Sequence, residues 1–341
     1  AHLCAEARTT ARWFEPLSGE LLCLEAEHAA LVPDEDSDLP VLLRGYWYET
    51  RYEKGAEHPL YVRRKVDGQE EEILFDAAAA AVHCPAYSLG TVEVSDDGEL
   101  LAVTEDRTGS REYRLRLIKR TTGCELPDLV AGIDPDVVFL ADGSVLYVAQ
   151  DPVTLLGNRV MRHVPGATAE TDALIYQEED DKYTISLERS RSGRFVFIYL
   201  QSTVTTEIRF LRWTDPDVAI KVVLARQEGH EYAIEDDGDR FIIRTNDSAP
   251  DFRLVDVDIH QAGDRSCWHE ILPSRPGIIL SDCVVFPMHL VVEERVAGLL
   301  QVRIIDRCGT TRRLLSRPEP AASVWLDRKS TRLNSSHVAL S

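Results

Sequence analysis

The sequence predicts an all-β protein, a β-propeller of four-stranded blades preceded by a short N-terminal helical segment, and three observations carry this prediction. Short runs of β-branched and aromatic residues fill the chain after residue 41, as is typical of antiparallel strands. Polar turns that contain a glycine join these runs. The turn glycines Gly98, Gly143, Gly193 and Gly238 lie 45, 50 and 45 residues apart, which is the repeat length of a propeller blade.

Residues 183–213 give the clearest copy of the repeat. The apolar run 195–200 follows the polar turn 190–193, and a polar link leads into a second run at 207–213. This order of strand, turn, strand, loop and strand indicates a small antiparallel sheet. Since Ser190 and Ser192 lie in a hairpin turn, we interpret them as turn formers and not as nucleophiles.

The same pattern recurs along the chain at residues 92–118, 137–163, 232–257 and 284–305. The last copy is degenerate and has Met288 in the place of the turn glycine. Together with an aromatic hairpin at 45–75, these copies predict about six blades. One such sheet cannot bury both of its faces alone, so the blades are expected to stack around an axis. A pair of β-sandwiches is the alternative.

The helical segment occupies residues 1–31. Apolar residues and one histidine recur there at spacings of three and four: Leu17, Leu21, Leu24, His28 and Leu31. Such spacing is typical of an amphipathic helix. Pro16 and Gly19 are expected to divide the stretch into two short helices, and the acidic stretch 33–38 is expected to end it as a linker.

The domain organisation follows from these patterns. We expect the helical segment and its acidic linker at 1–40, an incomplete β-propeller domain at 41–326 and a tail at 327–341. The tail has no blade pattern and is expected to be non-native or disordered. The chain does not begin with methionine, so we expect it to be a fragment of a longer protein.

Composition limits the partners. With 38 basic and 58 acidic residues the net charge is −20, which argues against nucleic-acid binding and is compatible with attraction of cationic peptides. The seven cysteines include no CxxC pair, so we expect reduced thiols in a cytoplasmic protein. No stretch has the length and apolarity of a membrane span, and the start does not resemble a signal peptide.

A search for catalytic and binding motifs is negative. The sequence contains no GxSxG, GxxxxGK[ST], HExxH or EF-hand pattern, and its ten histidines are scattered. We therefore assign no catalytic residue, no metal ligand and no cofactor. The acidic pairs Asp96-Asp97 and Asp236-Asp237 precede turn glycines, so they are expected to form turns and not to act in acid–base catalysis.

The amino-acid sequences of several segments are more specific than the repeat length of the blades. The segments concerned are 44–65, 151–156, 174–181, 189–195, 205–209, 228–232, 239–247 and 290–295. In this order, and over about residues 1–326, they resemble the N-terminal part of the oligopeptidase B branch of the prolyl oligopeptidase family of serine peptidases.

The resemblance implies a two-domain enzyme. In this family a seven-bladed propeller covers an α/β-hydrolase domain that carries a Ser–Asp–His triad, and this branch cleaves short peptides after Arg or Lys. The propeller would act as a size filter for substrate. Since the hydrolase domain would follow the propeller, this chain alone is not expected to hydrolyse peptides. The implied partners are that domain and short, basic peptides.

Two site residues are implied by the resemblance, Arg111 and Arg116. They match arginines that the family places toward the interface between the domains, where they can pair with hydrolase carboxylates or with an anionic part of the substrate. The alternative for both is a solvated strand edge with a surface ion pair.

Two other functions stay open at the level of sequence. One is a stand-alone propeller that serves as a scaffold for protein interactions, and the other is a prolyl-specific relative. An open ring of about six blades leaves sheet edges exposed, which invites aggregation and argues against the scaffold.

Overall fold

The computed structural model describes residues 2–33, 36–215 and 217–315, together with 319, 322, 324 and 333–334. It divides the chain into two compact units, residues 1–80 and 81–341. The described elements are mostly antiparallel strands, with helices concentrated at the N-terminus. The all-β prediction is therefore confirmed.

The first unit contains two helices and one sheet. The helices are α1 (His2–Phe14) and α2 (Ser18–Leu31), and the sheet consists of β1 (Asp36–Ser37), β2 (Val41–Leu43), β3 (Tyr46–Tyr52), β4 (Leu60–Lys65) and β5 (Glu71–Asp76). A short 3-10 turn, Glu15–Leu17, separates the helices and contains Pro16, whose missing N–H interrupts α-helical hydrogen bonding. The predicted division into two helices is confirmed. No described residue of either helix is buried.

The sheet of the first unit is the first blade, in the strand order β1-β3-β4-β5, with β2 also paired to β3. A short helix, α3 (Ala77–Ala81), follows it. The aromatic hairpin predicted at 45–75 corresponds to β3, β4 and β5.

Five further blades make up the second unit. Blade two consists of β6 (Ser88–Val94), β7 (Leu100–Asp106), β8 (Tyr113–Lys119) and β9 (Cys124–Glu125). Blade three consists of β10 (Val130–Phe139), β11 (Val145–Gln150), β12 (Gly157–His163) and β13 (Ala173–Gln177). Blade four consists of β14 (Thr184–Arg189), β15 (Phe195–Gln201), β16 (Thr206–Arg212) and β17 (Lys221–Leu224).

Blade five consists of β18 (Tyr232–Asp237), β19 (Arg240–Thr245), β20 (Arg253–Asp258) and β21 (His269–Leu272). Blade six consists of β22 (Ile278–Val285), β23 (Leu290–Val296), β24 (Leu299–Ile305) and β25 (Thr311–Leu314). Every predicted copy of the repeat coincides with the first three strands of one blade. Six blades are therefore described, as the sequence predicts, five of them with four strands and the first with five.

The turn glycines have the backbone that the pattern requires. Gly98, Gly143, Gly193 and Gly238 have φ values of 76°, 81°, 76° and 65°. This left-handed conformation is costly for residues with a Cβ. The repeated glycines therefore mark turns between the first and second strands of these blades that require a left-handed backbone.

Neighbouring blades bury apolar side chains against one another. One core contains Ile185 and Leu187 of blade four with Val138 of blade three, and the next joins Phe195 of blade four to Phe241 of blade five, whose ring centroids lie 5.9 Å apart. Other cores join blades two and three and blades five and six. The predicted stacking of blades is confirmed by these contacts.

Two strand pairings extend beyond the four-stranded blades. Strands β8 and β10 pair with each other, so blades two and three form one continuous sheet. Within the predicted tail, β26 (Leu333–Asn334) pairs with β6. The other residues of 327–341, and with them the prediction of a non-native or disordered tail, lie outside the described residues. In the described part of the chain, no helix is long and apolar enough to cross a membrane.

Candidate functional site

Arg111 lies in the connection between the second and third strands of blade two. Its φ is 64°, and the carboxylate of Asp106 holds the turn from inside. Asp106 accepts hydrogen bonds from the backbone N–H groups of Thr108 (2.9 Å), Gly109 (3.0 Å) and Arg111 (2.7 Å). Burial raises the pKa of Asp106, but these hydrogen bonds outweigh it, and the net shift is downward. The turn therefore contains a carboxylate that stays ionised at neutral pH.

Blade three holds the other side of the same turn. The buried side chain of Gln150 donates through Nε2 to the carbonyl oxygen of Arg111 (3.0 Å) and to Oδ1 of Asp134 (2.8 Å). Burial raises the pKa of Asp134, and the hydrogen bond from Gln150 offsets this only in part. Both the N–H and the C=O of Arg111 are thus fixed by side chains from different strands.

The guanidinium of Arg111 is exposed. Within the described residues it makes no hydrogen bond or ion pair. A fixed backbone with an unpaired guanidinium can bind a carboxylate at low entropic cost, because only the side chain has to be ordered.

Arg116 has different surroundings. It lies in the middle of β8, where its Nε donates to Oε2 of Glu125 (2.9 Å) and its Nη1 lies 3.5 Å from Oε2 of Glu105. Glu105 is fully buried and also accepts a hydrogen bond from Arg114. Arg116 is therefore neutralised inside the blade, whereas Arg111 is available at the end of the blade.

Glu105 is the centre of this internal cluster. Besides the two arginines it accepts a hydrogen bond from the hydroxyl of Tyr87 at 3.0 Å. Burial, and then the nearby negative charge of Glu105, raise the pKa of Tyr87 well above its ordinary value. The cluster keeps one buried carboxylate compensated and joins the segment before β6 to strands β7 and β8.

A second charged cluster lies between blades three and four and was missed by sequence reasoning. Arg226 donates to Glu178 (2.6 Å) and to Glu207 (3.1 Å), and its guanidinium stacks 3.9 Å from the ring centroid of Tyr183. Burial raises the pKa of both carboxyls, but the hydrogen bonds from Arg226, together with those from Tyr176 and the Asp180 N–H to Glu178 and from Arg209 to Glu207, outweigh it, and the net shift of both pKa values is downward. In the sequence, Glu178 is one of four consecutive acidic residues, and nothing local marks it as the paired one.

His163 is fully buried between two carboxylates. Its Nδ1 lies 2.8 Å from Asp172 and its Nε2 lies 3.0 Å from Asp128. The hydroxyl of Tyr147 also donates to Asp172 at 2.8 Å. Because both ring nitrogens face carboxylate oxygens, neither is placed to take a proton from a serine, and the group ties strands together.

The predicted turn-forming serines behave as expected. Ser190 Oγ accepts from the backbone N–H of Phe195 at 3.2 Å, and Ser192 Oγ donates to Asp236 at 2.5 Å. The hydrogen bonds described for either hydroxyl include no imidazole.

The predicted turn position is right for Asp96 and Asp97 and wrong for Asp236 and Asp237. Asp97 accepts from the backbone N–H of Glu99 at 3.0 Å within its own turn. Asp96 instead pairs with Arg189 of blade four. Asp236 and Asp237 belong to the strand β18 and bind side chains of blades four and six. Since the tight turn needs one capping carboxylate at most, the others are free to join blades.

Comparison with known protein families gives one match over most of the chain. The family model described as the N-terminal beta-propeller domain of prolyl oligopeptidase matches residues 1–339.

Two curated relatives illustrate the similarity. Dipeptidyl aminopeptidase BI of Pseudoxanthomonas mexicana is 34% identical over 329 residues, which are 91% of this chain and 45% of that protein. Protease 2 of Moraxella lacunata is 26% identical over 282 residues, which are 80% of this chain and 40% of that protein. The chain thus spans about half the length of the curated relatives that it matches.

Solved structures show the same fold. Oligopeptidase B from Leishmania major superposes with a TM-score of 0.84 at 23% identity and covers 91% of this chain and 45% of its own. Oligopeptidase B from Trypanosoma brucei, in a closed form with covalently bound antipain, gives the same TM-score and identity and covers 94% of this chain and 46% of its own.

Proposed function

The chain belongs to the prolyl oligopeptidase family, through the N-terminal β-propeller domain, and from this membership we propose that it is the substrate-gating portion of a serine oligopeptidase. The observation that carries the proposal is the match of the family model to residues 1–339. The intact enzyme would hydrolyse short peptides by acyl transfer to a serine of an α/β-hydrolase domain. The propeller would restrict access to that serine by size.

We assign to Arg111 the contact with an anion across the domain interface. The anion is either a carboxylate of the hydrolase domain or an anionic part of the peptide. The exposed, unpaired guanidinium and the backbone held by Asp106 and Gln150 support this role. Arg116 would act indirectly, by keeping Glu105 compensated inside blade two.

Cleavage after Arg or Lys is the substrate preference that we propose. The net charge of −20 supports it, because an acidic protein attracts cationic peptides and speeds their encounter. Release of dipeptides is a second candidate, since one relative at 34% identity is named a dipeptidyl aminopeptidase. The seven free cysteines support a reducing compartment and hence a cytoplasmic location.

The helices α1 and α2 supply a further support for a partner domain. They expose Trp13, Leu22 and Leu31, and none of their described residues is buried. Exposed apolar side chains at this density are typical of a surface that a partner covers. We propose that this partner is the α/β-hydrolase domain.

The rate of peptide hydrolysis by the full-length gene product, compared with that by this chain alone, tests the proposed function. We expect this chain alone to be inactive and the full-length protein to cleave a blocked Arg-Arg fluorogenic peptide. Cleavage that requires a free amino terminus two residues from the bond would favour dipeptide release instead. Turnover by the chain alone would contradict the assignment.

The role of Arg111 has its own test in the same assay. Arg111→Ala should raise KM by roughly threefold to tenfold at unchanged kcat, because one partly solvated charge contact is lost. Arg64→Ala is the matched control, since Arg64 is also exposed, and it should change KM by less than about twofold. An unchanged KM in Arg111→Ala would remove Arg111 from the site.

A further inference from the structure

The connection between β11 and β12 of blade three exposes three apolar side chains. This loop, residues 151–156, leaves Val153 87%, Leu155 42% and Leu156 40% exposed. The other large apolar side chains that the structure describes as exposed in the second unit lie singly along the sequence. Single exposed apolar residues are normal on a protein surface, whereas a group of them marks a surface that binds a partner.

The backbone of this loop is held by its own hydrogen bonds. Oδ1 of Asp151 accepts from the backbone N–H groups of Val153 at 2.9 Å and Thr154 at 2.8 Å. The N–H of Asp151 donates to the carbonyl oxygen of Leu156 at 2.8 Å, and its carbonyl oxygen accepts from the N–H of Leu155 at 2.9 Å. A loop that is already ordered loses little conformational entropy when a partner covers it.

Leu155 also carries backbone strain. Its φ is 57°, which places it in the left-handed region that glycine and asparagine adopt more readily than leucine. Because the side chain is exposed, burial within this chain does not offset the cost of this conformation. Strain that is kept at an exposed residue is typical of functional sites, where it holds a side chain in a required position.

The loop lies beside Arg111 on one continuous sheet. Gln150, which directly precedes the loop, donates to the carbonyl oxygen of Arg111 at 3.0 Å. Close to both connections, Ile133 of β10 pairs with Tyr113 of β8 and with Ala149 of β11. Arg111 and residues 151–156 therefore form a single fixed surface, which combines an exposed cation with apolar side chains.

We propose that the 151–156 loop is the apolar anchor by which the α/β-hydrolase domain docks on the propeller, with Val153, Leu155 and Leu156 covered by that domain and Arg111 paired with one of its carboxylates. This inference rests on the proposed function.

The choice of the hydrolase domain as the occupant follows from length and from permanence. The chain spans about half the length of the curated relatives that it matches, so the rest of such a protein is large enough to supply the partner surface. A covalently linked domain is present at all times and at high effective concentration. A peptide is present only during turnover, whereas the strain at Leu155 and the exposure of the loop are permanent features of this chain.

Labelling of side chains by hydroxyl radicals, followed by mass spectrometry, tests the docking because it measures side-chain exposure. In the full-length gene product, Leu155 and Leu156 should be labelled at least about threefold less than in this chain alone, as expected for the buried centre of an interface. Val164 is the matched control, since it is also exposed and the length of β12 separates it from the loop. It should be labelled equally in both proteins.

Three results of this experiment would overturn the docking. One is equal labelling of the loop in the full-length protein and in this chain alone. Another is protection in this chain alone that rises with protein concentration, which would assign the loop to a second copy. The third is protection of the full-length protein only when a blocked Arg-Arg peptide is added, which would assign the loop to the substrate.

Leu155→Asn separates docking from the folding of the propeller. Asparagine adopts the left-handed backbone more readily than leucine, so the Tm of this chain alone should stay the same or rise. In the full-length protein the same change should raise the labelling of Val153 at least about twofold, because part of the apolar anchor is lost. Val164→Asn is the control and should change neither quantity. A lower Tm of this chain alone, or unchanged labelling of Val153, would overturn the role of Leu155.

Peptide hydrolysis by the same full-length protein distinguishes failure of the docking from failure of the proposed function. A protected loop in a protein that hydrolyses no peptide would support the docking and overturn the peptidase function. A loop that stays fully labelled in an active peptidase would overturn the docking and leave the peptidase function in place.

Discussion

Arg226 illustrates how single residues hold this fold together. It compensates two carboxylates, Glu178 and Glu207, which are largely buried and come from neighbouring blades. Removing Arg226 leaves Glu178 without a cation, whereas Glu207 keeps its ion pair with Arg209. An uncompensated buried carboxylate costs more than an exposed pair of the same geometry contributes. The side chain of Arg226 is 28% exposed, so the cost is smaller than for a fully buried group.

We expect Arg226→Met to lower the free energy of unfolding by about 2–3 kcal/mol at pH 7. The pKa values of Glu178 and Glu207 are lowered in the folded protein. Their stabilisation is therefore present above the unfolded carboxyl pKa of about 4.3 and is lost as pH falls below it. The difference in Tm between variant and wild type should be nearly constant from pH 7 to about pH 5 and narrow below about pH 4.3.

Thermal unfolding monitored by circular dichroism between about pH 3 and pH 7 measures this difference. Arg51→Met is the control, since the pair of Arg51 with Glu71 is about one-third exposed. It should cost less than about 1 kcal/mol at any pH. A gap for Arg226→Met that is independent of pH would contradict the assignment of the two carboxylates.

At the scale of elements, the sequence predicts strands best where one face is buried. The first three strands of blades two to six are rich in apolar residues, and all lie at the predicted places. Strand β1 (Asp36–Ser37) of the first blade instead lies within the predicted acidic linker. The fourth strands of blades two to six have at most five residues, and β25 has no buried residue, so any apolar pattern is too short for sequence analysis to detect. The pairing of β8 with β10 also depends on contacts made only after the blades stack.

The candidate site is likewise predictable from the sequence only in part. Arg111 could be singled out through its resemblance to family arginines. Its supports, Asp106 and Gln150, could not, because a carboxylate inside a turn and an amide from another blade are recognisable only in three dimensions. The resemblance points equally to Arg116, although the pleat of β8 and the buried Glu105 give it separate surroundings.

Gly157 at the start of β12 provides a test of packing between elements. A Cβ there would lie 1.9 Å from Oδ2 of Asp134 and 2.7 Å from Cγ1 of Val148. Gly157→Ala must therefore displace Asp134, which is bonded to Gln150. We expect a loss of about 1–3 kcal/mol in the free energy of unfolding, measured by urea denaturation.

Gly19→Ala is the matched control for this substitution. Gly19 lies in α2, and a Cβ there has no heavy atom within 4 Å. Alanine should be neutral or stabilise by up to about 1 kcal/mol. Equal unfolding midpoints for the two variants would show that the space beside Asp134 is not limiting.

At the scale of the whole molecule, the distribution of buried residues separates a propeller with its own cores from helices without one. Blades two to six bury apolar side chains between successive sheets. The helices α1 and α2 bury none in their described residues. In a stand-alone scaffold these helices would stay exposed, whereas in a larger enzyme another domain can cover them.

This contrast predicts opposite effects of deleting residues 1–32 in two settings. In this chain alone, the deletion should leave Tm within about 2 °C, because neither helix contains a buried residue, and should reduce self-association measured by sedimentation velocity. In the full-length protein it should lower Tm by several degrees, because the apolar side chains of α1 and α2 would lose their partner. A triple substitution of Trp13, Leu22 and Leu31 by serine is the control that keeps the chain length. It should reproduce both effects; a full-length protein indifferent to both changes would favour the stand-alone scaffold.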